Sequence, residues 1–162
     1  MANFADHIAQ AQKNLLFLQE ISGKLTTQYL DWNVTVCYYV AVHLVNSHIA
    51  SITNQHYRKH EEVSKALNPN ITLSLTKVPE KVYLAYNHLQ NLSRRSRYLI
   101  SDSMSNRSES ANLTYDKHFK RSLVHLDTLI EYIETTYHQP FNDMIVNCIE
   151  ARNIGLKHFK VV

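Results

Sequence analysis

The chain has 162 residues, close to the commonest size of a single domain and long enough to bury a hydrophobic core without disulfides or metal. Only two glycines and three prolines interrupt it, and since β-sandwiches and barrels need many turn residues, this composition argues against them and for a few long helices. Seventeen lysines and arginines against fourteen aspartates and glutamates give a net charge of +3, which permits an anionic partner but excludes the strong basicity of a dedicated nucleic-acid-binding protein.

The first predicted helix runs from about Asp6 to Ser22, and Gly23 provides its stop. Apolar side chains recur in it at spacings of three and four, which places them along one face. These residues are Phe4, Ile8, Ala11, Leu15 and Leu18. The pattern predicts an amphipathic helix with one buried face. The opening "MANFADHIAQAQKN" has no apolar segment of the kind found in a signal peptide.

The second predicted helix, from about Asp31 to Ile52, is apolar on most of its sides. It contains the run "WNVTVCYYVAVHLV", and no charged residue occurs between Trp32 and Tyr57. Asparagine, threonine, serine and histidine residues interrupt the run, so it falls short of the roughly 18 to 20 apolar residues that a membrane span requires. We therefore expect a central core helix and no association with a membrane.

Three further helices are predicted after it. The third covers about Arg58 to Leu67 and is ended by Pro69, and the fourth begins at Pro79 and continues to about Asp102. After the polar segment "SDSMSNRSESAN", the fifth has the most regular repeat in the chain, with spacings that alternate between four and three. Its apolar residues are Phe119, Leu123, Leu126, Ile130, Ile133 and Tyr137.

These elements predict an all-α fold, an up-and-down bundle of four to five helices with a short C-terminal helical extension. Residues 1–138 form the bundle in this prediction, and residues 139–162 form the extension after Pro140. In "FNDMIVNCIEARN" five apolar residues lie on one face of a helix, so we expect an amphipathic extension that docks on the bundle or on a second copy of the chain. These residues are Phe141, Met144, Ile145, Cys148 and Ile149.

The two cysteines, Cys37 and Cys148, both occur in apolar surroundings and show no metal-binding or disulfide spacing. Such residues are typical of small buried side chains in a protein of a reducing compartment. We therefore predict a cytoplasmic location.

Ten histidines raise the question of a metal site. His56 and His60 are four residues apart, with Glu61 adjacent, but zinc would need one or two more ligands. No HExxH or CxxC pattern supplies them, so capping and surface hydrogen bonds are the alternative role for this pair. GxSxG, a glycine-rich phosphate loop and a paired-carboxylate signature are also absent from the sequence. We predict no metal and no cofactor.

Three arginines fall within four positions of the fourth helix, in "HLQNLSRRSRYLI". Arg94 and Arg97 are three residues apart and share one side of the helix with Gln90 and Ser101, whereas Arg95 points away. Two guanidinium groups on one rigid face suit the oxygens of a phosphate, and they equally suit carboxylates on a neighbouring helix. Both interpretations, anion binding and structural pairing, remain open from the sequence.

A second basic surface is predicted on one flank of the fifth helix. His118, Arg121 and His125 line this flank beside Lys117 and Lys120. It is either a solvated flank or a second part of an anion-binding surface.

The order of these features resembles the HEPN superfamily of helical nucleotide-binding bundles. The resemblance is carried by "DWNVTVCYYVAVHLVNSHIA", by "HYRKHEEVSKAL" and by "AYNHLQNLSRRSRYLI", which together span about residues 30 to 100. They are similar to the Trp/Tyr-rich second helix, the short His-containing third helix and the Tyr/Leu/Arg-containing fourth helix of that superfamily. The resemblance implies an up-and-down bundle and a homodimer.

Many HEPN proteins are metal-independent ribonucleases that use an arginine and a histidine with four to six residues between them. After Arg94, Arg95 and Arg97 the corresponding window, Leu99 to Met104, contains no histidine. One pair with this spacing occurs elsewhere, Arg152 and His158 in the tail. The resemblance thus implies these two as the catalytic residues if the protein is an enzyme.

Three hypotheses follow for the function. The first is a non-catalytic, HEPN-like bundle that binds RNA or a nucleotide through Arg94 and Arg97, with Lys120, Arg121, His118 and His125 as further ligand-binding residues. The second is a metal-independent ribonuclease of toxin type that uses Arg152 and His158. The third is a protein-interaction partner of a nucleotidyltransferase, in which the arginines form ion pairs.

Overall fold

A computed structural model of the chain describes residues 2–24, 29–98 and 113–162. Five helices dominate it, as predicted, and the all-α bundle is confirmed. The helices are α1 (Phe4–Lys24), α2 (Leu30–Thr53), α3 (His60–Leu67), α4 (Glu80–Tyr98) and α5 (Asp116–Tyr137). The end predicted for the fourth helix, the segment "SDSMSNRSESAN" and the window from Leu99 to Met104 lie largely or wholly outside the described residues.

The centre of the bundle is α2, which contacts α1, α3, α4 and α5. Most of its side chains are buried because other elements surround it, and Trp32, Tyr39 and Ile52 are the large side chains of this helix that remain exposed. Cys37 is fully buried on this helix, and Cys148 of the tail is buried as well, as the sequence predicts. Burial raises the pKa of the Cys148 thiol to about 12, so this thiol is neutral at physiological pH.

The regular repeat of α5 forms the other half of the core. Its seam residues from Phe119 to Ile133 are buried, and this seam packs on both α2 and α4. The last seam residue, Tyr137, is partly buried and bonds to α2: its hydroxyl lies 2.7 Å from Nδ1 of His48. The packing of α4 beside α5 places the polar outer faces of the two helices next to each other.

The C-terminal extension corrects one prediction, since residues after Tyr137 form no α-helix. They form strand β1 (Met144–Val146), a 3₁₀ turn (Ile149–Ala151) and strand β2 (Phe159–Val161), with β1 and β2 paired in parallel. The buried residues Met144, Val146 and Cys148 alternate with exposed neighbours, which is the period of a strand. The run has enough apolar residues to fill either a helix face, with Ile145 and Ile149, or a strand face, with Val146, and the pairing with β2 selects the strand.

The extension docks on its own bundle, one of the two places that the sequence allows. Its strand β1 packs on α1, where the Ile145 N–H donates to Oε1 of Gln19 at 2.9 Å, and its 3₁₀ turn packs on α5. Apolar residues of the extension belong to the same core cluster as those of the helices. Among the described residues, none of the helices has the length and apolarity needed to cross a membrane.

Candidate functional site

A basic groove lies between the outer faces of α4 and α5. It has a volume of about 410 Å³, which is within the usual size range for small-ligand sites. The residues that line it are His88, Asn91, Leu92, Arg95, Lys120, Arg121, Val124 and His125. We call these eight residues the α4–α5 groove.

Helical spacing explains why these residues converge. On α4, His88, Leu92 and Arg95 follow one another at intervals of four and three, so they form one row on the helix surface. On α5, Arg121 and His125 are four residues apart and form the facing row. The groove therefore results from two regular helices that each turn a polar stripe toward the other.

Three permanent cations border the groove from two different helices. Arg95 comes from α4, and Lys120 and Arg121 come from α5. Within the described parts of the chain, neither Lys120 nor Arg121 forms an ion pair with a carboxylate. In those parts the charges of Lys120 and Arg121 are therefore not neutralised by acidic side chains, which is the arrangement expected where an anion binds.

Two imidazole rings, one from each helix, stack against each other at the groove. The ring centroids of His88 and His125 are 4.9 Å apart and the rings are nearly parallel, with an interplanar angle of 21°. Burial, the neighbouring His88 and the charge of Arg121 lower the pKa of His125 to about 4. At neutral pH His125 is therefore uncharged, and its ring offers one N–H donor and one nitrogen acceptor.

The other two arginines of the fourth helix lie away from the groove, and Arg97 faces another side of α4. The Arg97 Nε donates to the carbonyl of Ser93 at 3.3 Å, and its guanidinium carbon lies 5.2 Å from the Tyr98 ring centroid. Burial and, to a smaller extent, the charge of Arg97 lower the pKa of His60 at the start of α3. Arg94 is exposed. The predicted split between Arg95 and the Arg94/Arg97 side is present, but the groove is on the Arg95 side.

His118, which the sequence groups with the basic flank, belongs to the start of α5. It is buried, and its Nδ1 accepts the backbone N–H of Tyr115 at 2.9 Å. Burial and the charges of Arg95, Lys117 and Arg121 lower its pKa. His118 is therefore a buried residue that stabilises the N-terminal turn of α5. It does not line the groove.

The pair Arg152 and His158 does not form an open site. Arg152 is exposed at the end of the 3₁₀ turn, whereas His158 is buried in the packed extension. The Nδ1 of His158 lies 2.8 Å from Asp127 and its Nε2 lies 3.3 Å from Glu134. Both ring nitrogens are therefore engaged by carboxylates of α5, and the ring fastens the extension to that helix.

The histidine pair His56 and His60 is separated by the structure, because α3 begins only at His60. The Nδ1 of His60 lies 2.7 Å from the Tyr38 hydroxyl, while His56 packs edge-on against the ring of His7 with centroids 5.5 Å apart. In residues 2–24, 29–98 and 113–162, no group of three or more His, Cys, Asp or Glu side chains could hold a metal ion.

The sequence therefore predicts three of the five charged and histidine side chains that line the groove and misses two. Lys120, Arg121 and His125 were named, and Arg95 and His88 were not. The missed signal is the interval of seven residues between His88 and Arg95, which repeats one helix face after two turns. The three arginines that lie close together in the sequence instead favour a site on the side of Arg94 and Arg97.

Comparison of the chain with protein-family models, with curated proteins and with solved structures finds no match in any of the three. The HEPN relationship and the homodimer that it implies therefore stay predictions.

Proposed function

We propose that this protein binds RNA or a nucleotide through the α4–α5 groove, without catalysing a reaction there. The observation that carries the proposal is the convergence of Arg95, Lys120 and Arg121 on one concave surface. The ligand class is that of the first hypothesis from the sequence, but the binding surface lies on the Arg95 side of α4 and not on the side of Arg94 and Arg97.

The chemistry of the groove suits a phosphate group. Guanidinium groups donate two parallel N–H bonds to phosphate oxygens, and a lysine ammonium adds a mobile point charge. Leu92 and Val124 provide apolar surface beside these donors, and the amide of Asn91 can donate to or accept from a base or a ribose. A nucleotide combines these two kinds of surface in one molecule.

The test is a titration of a short 5′-phosphorylated single-stranded RNA, labelled at its 3′ end, with the full chain, followed by fluorescence anisotropy. We expect binding that weakens as salt rises from about 50 to about 200 mM, because phosphate contacts release counterions. The double variant Lys120→Ala/Arg121→Ala should lose about tenfold or more in affinity, since it removes two charge-assisted contacts.

Two further variants make the test specific. Lys77→Ala/Lys81→Ala also removes two exposed positive charges, but outside the groove, and it should leave the affinity within about twofold. Arg94→Ala/Arg97→Ala tests the row that the sequence favours. Equal affinity of the wild type and the Lys120→Ala/Arg121→Ala variant, or binding that salt does not change, would refute the proposal.

A further inference from the structure

We infer that the α4–α5 groove is specific for a terminal phosphomonoester, as found on a mononucleotide or on a phosphorylated RNA end, and not for the phosphodiester backbone. This inference deepens the proposed function and depends on it. It rests on how closely the cations and the two stacked imidazole rings are grouped.

The five basic residues of the groove, which include Arg121, are grouped around one point and do not form an extended row. His88 and Arg95 are separated by two turns of α4, which corresponds to about 10 Å along the helix axis. On α5 the distance from Lys120 to His125 is shorter still, at about 7.5 Å. A protein that follows a nucleic-acid backbone distributes its cations along a groove several nucleotides long, whereas these five side chains surround one small volume.

The charge of the cluster matches a dianion better than a monoanion. A phosphomonoester carries a charge of about −1.5 to −2 near neutral pH and offers three acceptor oxygens. Lys120 and Arg121, which form no ion pair with a carboxylate in the described parts of the chain, supply two positive charges, and these match the two negative charges of the monoester. A second negative charge and a third oxygen are what distinguish the terminal group.

The stacked imidazoles add donors on the same side. Because the rings of His88 and His125 are nearly parallel and in contact, N–H groups of both rings can donate hydrogen bonds to one phosphate group between α4 and α5. The positive charge of Arg121 disfavours an imidazolium ion at His125. A bound dianion offsets that repulsion, so protonation of His125 and binding of the monoester favour one another.

The experiment compares three ligands that share one base: adenosine 5′-monophosphate, adenosine 3′,5′-cyclic monophosphate and adenosine. The cyclic compound is a diester, so it keeps the base, the ribose and the phosphorus but has only one negative charge. Calorimetric titration of the full chain should show the monoester binding about tenfold or more tightly than the other two. The Lys120→Ala/Arg121→Ala variant should lose this difference, and circular dichroism should show an unchanged helical content.

A second arm uses the labelled RNA with and without its 5′ phosphate, and inorganic phosphate as competitor, to distinguish an RNA end from a free nucleotide as the source of the group. Loss of RNA affinity on dephosphorylation supports the RNA end, and selective binding of the mononucleotide alone supports the free nucleotide. If RNA binding depends on Lys120 and Arg121 but the monoester, the diester and the dephosphorylated RNA bind equally well, the inference is overturned and the proposed function stands. If no ligand binds, both are overturned.

Discussion

At the scale of single residues, the buried hydroxyl of Tyr38 links three helices. Tyr38 is fully buried on α2, and its hydroxyl lies 2.7 Å from Nδ1 of His60 at the start of α3 and 3.3 Å from the hydroxyl of Tyr86 on α4. A buried hydroxyl costs free energy unless it is hydrogen-bonded, and each of these groups supplies the other with a partner. The link therefore aligns α4, which carries half of the groove.

Substitution of Tyr38 by phenylalanine tests this link. The change keeps the ring and removes one oxygen, so the Tyr86 hydroxyl, which is itself buried, loses a partner. We expect the free energy of unfolding to fall by about 1 to 2 kcal/mol, as measured by urea denaturation.

The neighbouring residue provides a matched control. Tyr39 is 44% exposed and points away from the core, so Tyr39→Phe should change the free energy of unfolding by less than about 0.5 kcal/mol. Equal effects of the two substitutions would show that the hydrogen bonds of Tyr38 contribute nothing to stability.

At the scale of elements, Asp127 of α5 fastens the C-terminal extension. Its carboxylate accepts the backbone N–H groups of Lys157 at 3.1 Å and of His158 at 2.9 Å, and it contacts the His158 ring at 2.8 Å. Glu134, two turns further along α5, binds the Lys157 ammonium at 2.6 Å. Hydrogen bonds from Lys157 and from His158 lower the pKa of Glu134 to about 2, so this carboxylate stays charged in mild acid.

Removal of the Asp127 carboxylate should loosen the extension without unfolding the bundle. In Asp127→Ala two backbone N–H groups lose their acceptor, and we expect a loss of about 1 to 3 kcal/mol in the free energy of unfolding. Hydrogen exchange should accelerate most at the amides of Lys157 and His158.

The exposed pair of Asp143 and Lys160 is the control for this prediction. Their side chains are 2.9 Å apart but largely solvent-exposed, and exposed ion pairs contribute little. Asp143→Ala should therefore leave unchanged both the free energy of unfolding and the hydrogen-exchange rates of the Lys157 and His158 amides. Unchanged protection of Lys157 and His158 in Asp127→Ala would contradict the proposed role of Asp127.

The extension and the helices also show what the sequence alone could predict. The seam of α5 was predictable, because spacings of three and four over several turns fit a helix and nothing else. The extension was not, since Met144, Ile145, Cys148 and Ile149 fit one face of a helix while Met144, Val146 and Cys148 fit one face of a strand. Its strands depend on partners distant in sequence, such as Asp127 and Gln19, and no local pattern specifies such partners.

The same reasoning explains the partial prediction of the groove. The face of α4 on which Arg95 lies follows from helix geometry, but which face meets α5 follows from packing of the whole bundle. The sequence could therefore divide the arginines into two rows and could not decide which row borders a cavity.

At the scale of the whole molecule, the histidines make the fold sensitive to mild acid. Burial is the largest cause of a lowered pKa in six of them, which are His7, His43, His48, His60, His118 and His125. The bonding of His48 is an example: its Nε2 donates to the Thr76 carbonyl at 3.0 Å and its Nδ1 is 2.7 Å from the Tyr137 hydroxyl. This arrangement suits the neutral ring and joins α2 to α5.

The sign of the pH effect follows from the direction of these shifts. A histidine whose pKa is lowered by folding binds its proton more readily in the unfolded chain, so acid favours unfolding. The free energy of unfolding begins to decrease as pH falls below 6.5, the ordinary pKa of histidine. It continues to decrease until pH reaches the pKa of the folded state, which is about 4 for His7 and His125. These two residues alone should cost about 2 kcal/mol between about pH 7 and about pH 5.5.

Urea denaturation at several pH values between about 7 and about 5.5 measures this loss in a window where most carboxylates do not yet titrate. The variant His7→Gln removes one buried ring, whose pKa is lowered by burial and by the neighbouring His43 and His56, and the dependence on pH should become shallower by about 1 kcal/mol over this range. His138→Asn is the control, because this exposed residue ends α5 in a left-handed conformation that asparagine also adopts, and it should leave the dependence unchanged. A free energy of unfolding that is constant across the window would mean that the buried rings take up protons within the folded state, and the link between burial and acid sensitivity would then be wrong.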